Sequence, residues 1–250
     1  MNEFNLGTES IIPNQLTIDK MGVYDALNCM LLNQSEAINV IEQNLKEIER
    51  VVDLIYLKLN QSKKARIIYV GAGTSARIAV QDGVELFPTF GWPKSRVEFL
   101  IAGGLGALTQ SVEGAEDDSL QAKKDVLNKS INLSDVVIGL AASANTTYTV
   151  SAINISKDLG ALTIGIGNNL NGKLQKIADY SITLNTGPEI VTGSTRLKAG
   201  TAQKICLNLI STMVMIKMGC VKNGLMVNLI PSNKKLLKRK AVIDKIISGK

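Results

Sequence analysis

Histidine is absent from the 250 residues. That one absence removes the usual general base, the hydrolytic triad and the commonest nitrogen ligand for metals. Proton transfer must then rest on carboxylates, lysine, tyrosine or cysteine. Cysteine is scarce as well: Cys29, Cys206 and Cys220 are scattered through apolar helical patterns with no C-x-x-C pair. Packing in a reducing compartment is their expected role. Aromatic residues make up only 4% of the chain, too few to interleave with cations as a base-stacking surface. No uninterrupted apolar run approaches a bilayer span, and Met1 to Glu9 has neither a basic start nor an apolar stretch. A cytoplasmic protein with no membrane partner is expected.

Acidic residues are short by six, for a net charge of +6. The surplus is local. Lys234 to Lys250 holds seven Lys/Arg and one acid, and the rest of the chain is neutral. A basic terminal helix is more simply a solvated face, so no nucleic-acid partner is expected.

What the chain does have is alternation. Asp19 to Lys63 carries apolar residues at helical spacing and, after Gly22, no glycine or proline; it reads as helix. Short β-branched runs then alternate with helical stretches: Arg66 to Val70, Val97 to Ala102, Asp135 to Ala141, Ala161 to Ile166 and Tyr180 to Leu184. This pattern predicts an α/β fold with a doubly wound, five-stranded parallel sheet covered on both faces. A long apolar helix from about Arg196 to Met218 stops at Gly219, and an amphipathic helix covers roughly Asn233 to Ile247. The implied partition is a helical N-terminal arm over 1–62, an α/β domain over 63–222 and a short basic helical tail over 223–250.

Ligands of such sheets sit beyond the carboxyl ends of the strands, and there the chain places three polar loops. The first strand empties into Gly71-Ala-Gly-Thr-Ser-Ala-Arg77, where glycines admit an anion and the helix's first N–H groups point at it. The third is followed by Ala142-Ser-Ala-Asn-Thr-Thr147. Val191-Thr-Gly-Ser-Thr-Arg-Leu-Lys-Ala-Gly-Thr201 leads into the long helix. Alone, the first loop is as readily a plain strand-to-helix turn as an anion site, and Gly71-x-Gly73-x-x-Ala76 also fits a loose dinucleotide fingerprint. The dinucleotide reading wants an acid at the end of the second strand, which instead ends Leu100-Ile-Ala-Gly-Gly104. Lys173 likewise lacks the surroundings of a nucleotide phosphate loop. Three hydroxyl-rich loops on one edge suit a sugar phosphate.

Two carboxyls stand out. Glu85, in Asp82-Gly-Val-Glu-Leu-Phe-Pro-Thr89, keeps apolar company and is expected to stay protonated as a general acid. The turn Glu113-Gly-Ala-Glu-Asp-Asp118 is polar and suits an ionised general base. Its plain reading is a helix N-terminal cap, as Glu85's is a helix-end carboxylate. Local sequence does not choose between Glu113 and Glu116.

Taken together, these segments resemble the N-acetylmuramic acid 6-phosphate etherases of the sugar isomerase (SIS) fold. The resemblance rests on Gly71-Ala-Gly-Thr-Ser-x-Arg77, Glu85 with Pro88-Thr89, Ile101-Ala-Gly-Gly104, Val112-Glu-Gly-Ala-Glu-Asp117, Val191 to Lys204, and Asn208 with Ser211-Thr212. It runs from about Thr8 to Arg239. It implies a flavodoxin-like SIS domain, cleavage of the substrate's D-lactyl ether without metal or redox cofactor, and a homodimer as the working form. It places the catalytic glutamates at Glu85 and Glu116. Substrate binding falls to Gly73, Thr74, Ser75, Arg77, Ser143, Asn145, Thr146, Thr147, Thr192, Ser194, Thr195 and Lys198. An aldose-ketose isomerase or a non-catalytic sugar-phosphate sensor would use similar loops.

The chain departs from the family pattern in places. Where the family usually reads Ala-Ser-Gly-Arg-Thr-Pro-Tyr, this chain has Ala142-Ser-Ala-Asn-Thr-Thr-Tyr148, without a glycine and a cation. Phosphate binding is expected to weaken, and Ala144 is expected to resist the glycine conformation. Thr8-Glu9 retains the start of the family's Thr-Glu-x-x-Asn pattern, with Ile12 in place of the asparagine. After Asn233 comes Lys234, where the family often has glutamate.

Overall fold

A computed structural model of the chain describes residues 7–11, 17–231 and 233–248; Ile12 lies outside them. Two helices lead, α1 (Val23–Gln43) and α2 (Leu45–Gln61). The single helical stretch expected from Asp19 to Lys63 is thus divided, at Asn44. The Asn44 side-chain amide donates back to the Val40 carbonyl at 2.8 Å, with the backbone at φ −104°, ψ 6°. Asparagine competes with the backbone for hydrogen bonds, an interruption that an apolar stripe does not record.

The alternating part follows: β1 (Ile67–Gly71), α3 (Gly73–Phe90), β2 (Val97–Ile101), α4 (Ser119–Asn128), β3 (Val136–Ala141), α5 (Thr147–Asp158), β4 (Leu162–Gly167), α6 (Lys173–Ile177) and β5 (Tyr180–Thr183). All five strands are parallel, in the order β2-β1-β3-β4-β5. This is the expected flavodoxin-like sheet. The chain runs outward from β1 to β2 and returns to β3, so the order reverses between β1 and β3. A ligand crevice opens at that switch point.

The pleat divides the core. Ile67 and Tyr69 of β1 face a layer built from α2, α3 and the long helix α7 (Lys198–Lys217), whereas Ile68 and Val70 face α4, α5 and α6. Ala37, Val40 and Ile41 of α1 join the first layer. By length and composition α7 could cross a membrane, although polar residues interrupt its apolar runs, as expected from the sequence. It is a core helix: more than half of it is buried, and it packs against α1, α2 and α3. Cys206 on α7 and Cys220 beyond it are buried, and burial pushes the Cys206 thiol up to about 12.

A small hairpin, β6 (Val221–Lys222) and β7 (Leu225–Met226), was not anticipated. Its turn residues Asn223 and Gly224 have φ of +51° and +74°, the positive pair that favours an Asn-Gly turn. Its strands are too short for alternation to show. Last comes α8 (Lys234–Ser248), which exposes Leu237, Val242 and Ile246 and buries Ile243.

Candidate active site

The switch point is open. At Gly73 (φ +53°) the chain turns from β1 into α3. The first N–H groups of α3, which no helical carbonyl can reach, border a cavity of about 470 Å³. Gly73, Thr74 and Ser75 form one wall, Ser143, Asn145 and Thr146 another, and Thr195 arrives from the segment before α7. The three loops anticipated from sequence therefore do converge. A second cleft of about 410 Å³ continues past Thr74 to Arg77, Val112 and Glu113. Glu116, exposed on a short 3-10 turn over Ala115–Asp117, lines both clefts, whereas Glu113 lines only the second. The next residue but one, Asp118, caps α4, its carboxylate accepting from Gln121 N at 2.8 Å.

The unusual second loop keeps the glycine-like backbone after all. Ala144 has φ +58° and is fully buried, which corrects the expectation that alanine would resist. Its N–H donates to the Ala141 carbonyl and its own carbonyl accepts from Leu174 N, both at 2.9 Å. Its methyl packs where Gly167 and Gly172 have no side chain. Burial and those bonds offset a left-handed alanine's cost of roughly 1–2 kcal/mol. Asn145 is locked too: Oδ1 accepts from Lys173 N at 3.0 Å and Nδ2 donates to the Ser143 carbonyl at 3.1 Å. The loop is ordered by a neutral amide and brings no cation to the cavity.

Several expected site residues lie elsewhere. Arg77 lines only the second cleft, its guanidinium donating to the carbonyls of Ala107, Leu108 and Gln110. It shapes that wall. Thr147 is exposed at the start of α5, and Thr192 and Ser194 belong to a tight turn in which Ser194 N donates to the Val191 carbonyl; none of the three lines the cavity. Lys198 is 2% exposed and pairs its ammonium with Glu36 on α1 at 2.7 Å. It fastens α7 to α1 and does not reach the cavity, because the first turn of α7 aims it inward. Its N–H and that of Ala199 are capped by the buried carboxylate of Glu189, at 3.0 and 2.8 Å. Burial pushes that carboxyl up, against the pull of the two N–H groups.

Glu85 differs most from expectation. It is exposed on α3, not enclosed by its apolar neighbours, and it lines neither cleft. Twelve residues along α3 from Gly73, it lies roughly 18 Å down the helix axis. The apolar neighbours Leu86 and Phe90 face the core, while the helical period turns Glu85 outward.

Two features were not foreseen. Glu9 lines the main cavity, and its only signal was the retained Thr8-Glu9 pair. Asp82, three residues before Glu85, is buried and accepts from Asn208 Nδ2 at 2.7 Å, Tyr69 Oη at 2.9 Å and Ser211 Oγ at 2.9 Å. Burial pushes the Asp82 carboxyl above the usual carboxylate range despite these donors. Asn208 and Ser211, noted for their resemblance alone, thus tie α7 to α3.

A switch-point cavity walled by hydroxyl-bearing loops, on this five-stranded sheet, defines an SIS-fold protein. The SIS domain model matches residues 113–214, and the glucokinase regulatory protein N-terminal SIS domain model matches residues 48–157. Solved structures agree on the fold. A phosphoheptose isomerase from Francisella tularensis superposes with a TM-score of 0.60 at 16% identity, over 78% of this chain and 100% of that one. An Escherichia coli protein of the same fold gives 0.60 at 16% identity, over 82% and 97%. Curated relatives go further. An N-acetylmuramic acid 6-phosphate etherase from Oceanobacillus iheyensis is 44% identical over 94% of this chain and 79% of its own length. N-acetylmuramic acid 6-phosphate etherase 2 of Enterococcus faecalis is 42% identical over 96% and 80%. The chain belongs to the N-acetylmuramic acid 6-phosphate etherase family.

Proposed function

We propose that the protein is a carbon-oxygen lyase that cleaves the D-lactyl ether of N-acetylmuramic acid 6-phosphate, yielding N-acetylglucosamine 6-phosphate and D-lactate. In a chain of this family, the observation that carries the proposal is Glu116 at the join of two clefts beside the phosphate-type loops. Ring opening gives an aldehyde that acidifies the hydrogen at C2. Glu116 takes that proton, the electron pair forms a C2–C3 double bond, and the C3–O bond breaks. A carboxylic acid protonates the departing lactyl oxygen. Water then adds across the double bond, hydroxyl to C3 and proton to C2. The sequence consumes one water and is redox-neutral, so carboxyl groups in opposite protonation states suffice.

The phosphate sits against the N–H groups and hydroxyls of Thr74, Ser75, Ser143 and Thr146, with Thr195 opposite. The acid is Glu85, supplied by a second subunit. Two observations support a homodimer: Glu85 lies outside its own chain's cavity, and α1 turns Tyr24 and Leu31 outward at 81% and 68% exposure. Apolar surface of that kind favours a partner. Residues 63–222 form the sugar-phosphate domain, 1–62 the arm that pairs and 223–250 a basic tail. A cytoplasmic location suits a phosphorylated substrate.

The test is to incubate the purified protein with N-acetylmuramic acid 6-phosphate and measure D-lactate. Release of D-lactate with equimolar N-acetylglucosamine 6-phosphate is expected. A ketose product without lactate would replace the lyase with an isomerase, and no product from folded protein would sink both.

A further inference from the structure

Among the described residues that line the main cavity there are three acids, Glu9, Glu116 and Asp117, and no lysine or arginine. A cavity for a phosphorylated sugar would be expected to carry side-chain charge of the other sign. Glu116 has a role in the lyase proposal; Glu9 has none.

Glu9 is held there by contacts from two distant loops. The preceding residue, Thr8, is fully buried, and it exchanges two hydrogen bonds with Asn169 just beyond β4: Thr8 N donates to Asn169 Oδ1 at 2.9 Å, and Asn169 Nδ2 donates to Thr8 Oγ1 at 2.7 Å. Asn169 Nδ2 also donates to the Ala142 carbonyl at 3.0 Å, at the root of the second loop. The N-terminal segment is therefore pinned to the wall that carries Ser143 and Thr146. On its other side Glu9 meets the third loop. A Cβ on Gly193 would stand 2.7 Å from Glu9 Oε2, and Gly193 has φ +73°. The carboxylate rests on a spot that only glycine leaves open, and Glu9 lines the cavity.

A carboxylate close to a phosphate dianion is repelled by like charge. A carboxylate facing a hydroxyl or amide N–H accepts one of the stronger hydrogen bonds available. The helix N-termini and hydroxyls offer donors for the phosphate on the walls, so the acceptor is left for the sugar. We infer that Glu9 is a specificity-determining residue that accepts a hydrogen bond from the sugar portion of the substrate, from a hydroxyl or the acetamido N–H, and not from its phosphate. The inference rests on the sugar-phosphate reading of the cavity and adds a contact that reading does not contain.

Binding by calorimetry separates the two. The probes are N-acetylglucosamine 6-phosphate, glucose 6-phosphate and inorganic phosphate, applied to the wild type, Glu9→Ala and Glu9→Gln. Glu9→Ala is expected to weaken both sugar phosphates, or the acetamido sugar alone if the N–H is the donor, by about 10- to 100-fold. Inorganic phosphate should bind as before or tighter. Glu9→Gln, which keeps one acceptor without the charge, should fall between. Gly193→Ala, by displacing the carboxylate, should reproduce the Glu9→Ala pattern, with its melting curve reporting the fold. Unchanged sugar-phosphate affinity in Glu9→Ala would overturn the inference, and so would an equal loss for all three probes, the mark of a structural role. A folded wild type that binds none of the three would overturn the sugar-phosphate reading itself.

Discussion

If Glu85 serves the cavity of a second subunit, two dead enzymes should make a live one. Glu85→Gln and Glu116→Gln each keep the side chain's shape and remove its proton chemistry. As separate homodimers each should lose about 10²- to 10⁴-fold in D-lactate release, the usual contribution of a positioned acid or base. The structure sets the geometry for the mixture. Glu116 lines its own chain's cavity, whereas Glu85 is exposed roughly 18 Å down α3 from the turn that opens it. In a heterodimer of the two variants one site carries both defects and the other carries neither. Random reassociation makes half the dimers mixed, so about one quarter of wild-type activity should return. The assay is D-lactate release from differently tagged variants, co-expressed or mixed after reversible dissociation, against each parent alone. If Glu85 acted within its own chain, every site would lack one group and the mixture would stay at the parental level. That result, with heterodimers recovered through both tags, would refute the shared site.

Asp82→Ala leaves the donors of Tyr69, Asn208 and Ser211 without their acceptor and should cost about 2–4 kcal/mol in urea unfolding. Because burial raises the Asp82 carboxyl in the folded state, that state takes up the proton at higher pH than the unfolded chain. Relative to Asp82→Asn, the wild type should lose stability as pH rises from the ordinary carboxylate range through the raised value, then stay level. An identical pH profile in the two proteins would exclude a raised carboxyl. For the Lys198–Glu36 pair, Glu36→Gln strands a buried ammonium and should destabilise by about 1–3 kcal/mol, discounted because Glu36 is exposed. Lys198→Met should cost less in thermal unfolding, since it leaves only a solvated carboxylate behind; the reverse order would contradict a purely structural pair.

The five strands and the long core helix were legible because each is written in a local period that burial enforces. Ile67 through Val70 alternate between two covered faces, so the run is apolar throughout. The loops were legible because a turn that meets an anion draws on few residue types. Asn44 divided an unbroken stripe through a single side-chain bond, and Ala144 took a left-handed turn because neighbouring glycines left room for its methyl. The first cause is a local side-chain bond that an apolar stripe does not record, and the second lies outside its own stretch of sequence.

The order of strands and helices, the three loops at one sheet edge and the family to which they point could all be read from the residues in line. Which charged groups reach the cavity was settled only in three dimensions. Lys198, in the Val191 to Lys204 segment, turned inward to Glu36; Glu85 turned outward; Glu9 was carried in by a clasp between residues 161 positions apart. Local periodicity governs what a segment becomes. The direction of a single side chain depends on what packs against it from distant parts of the chain.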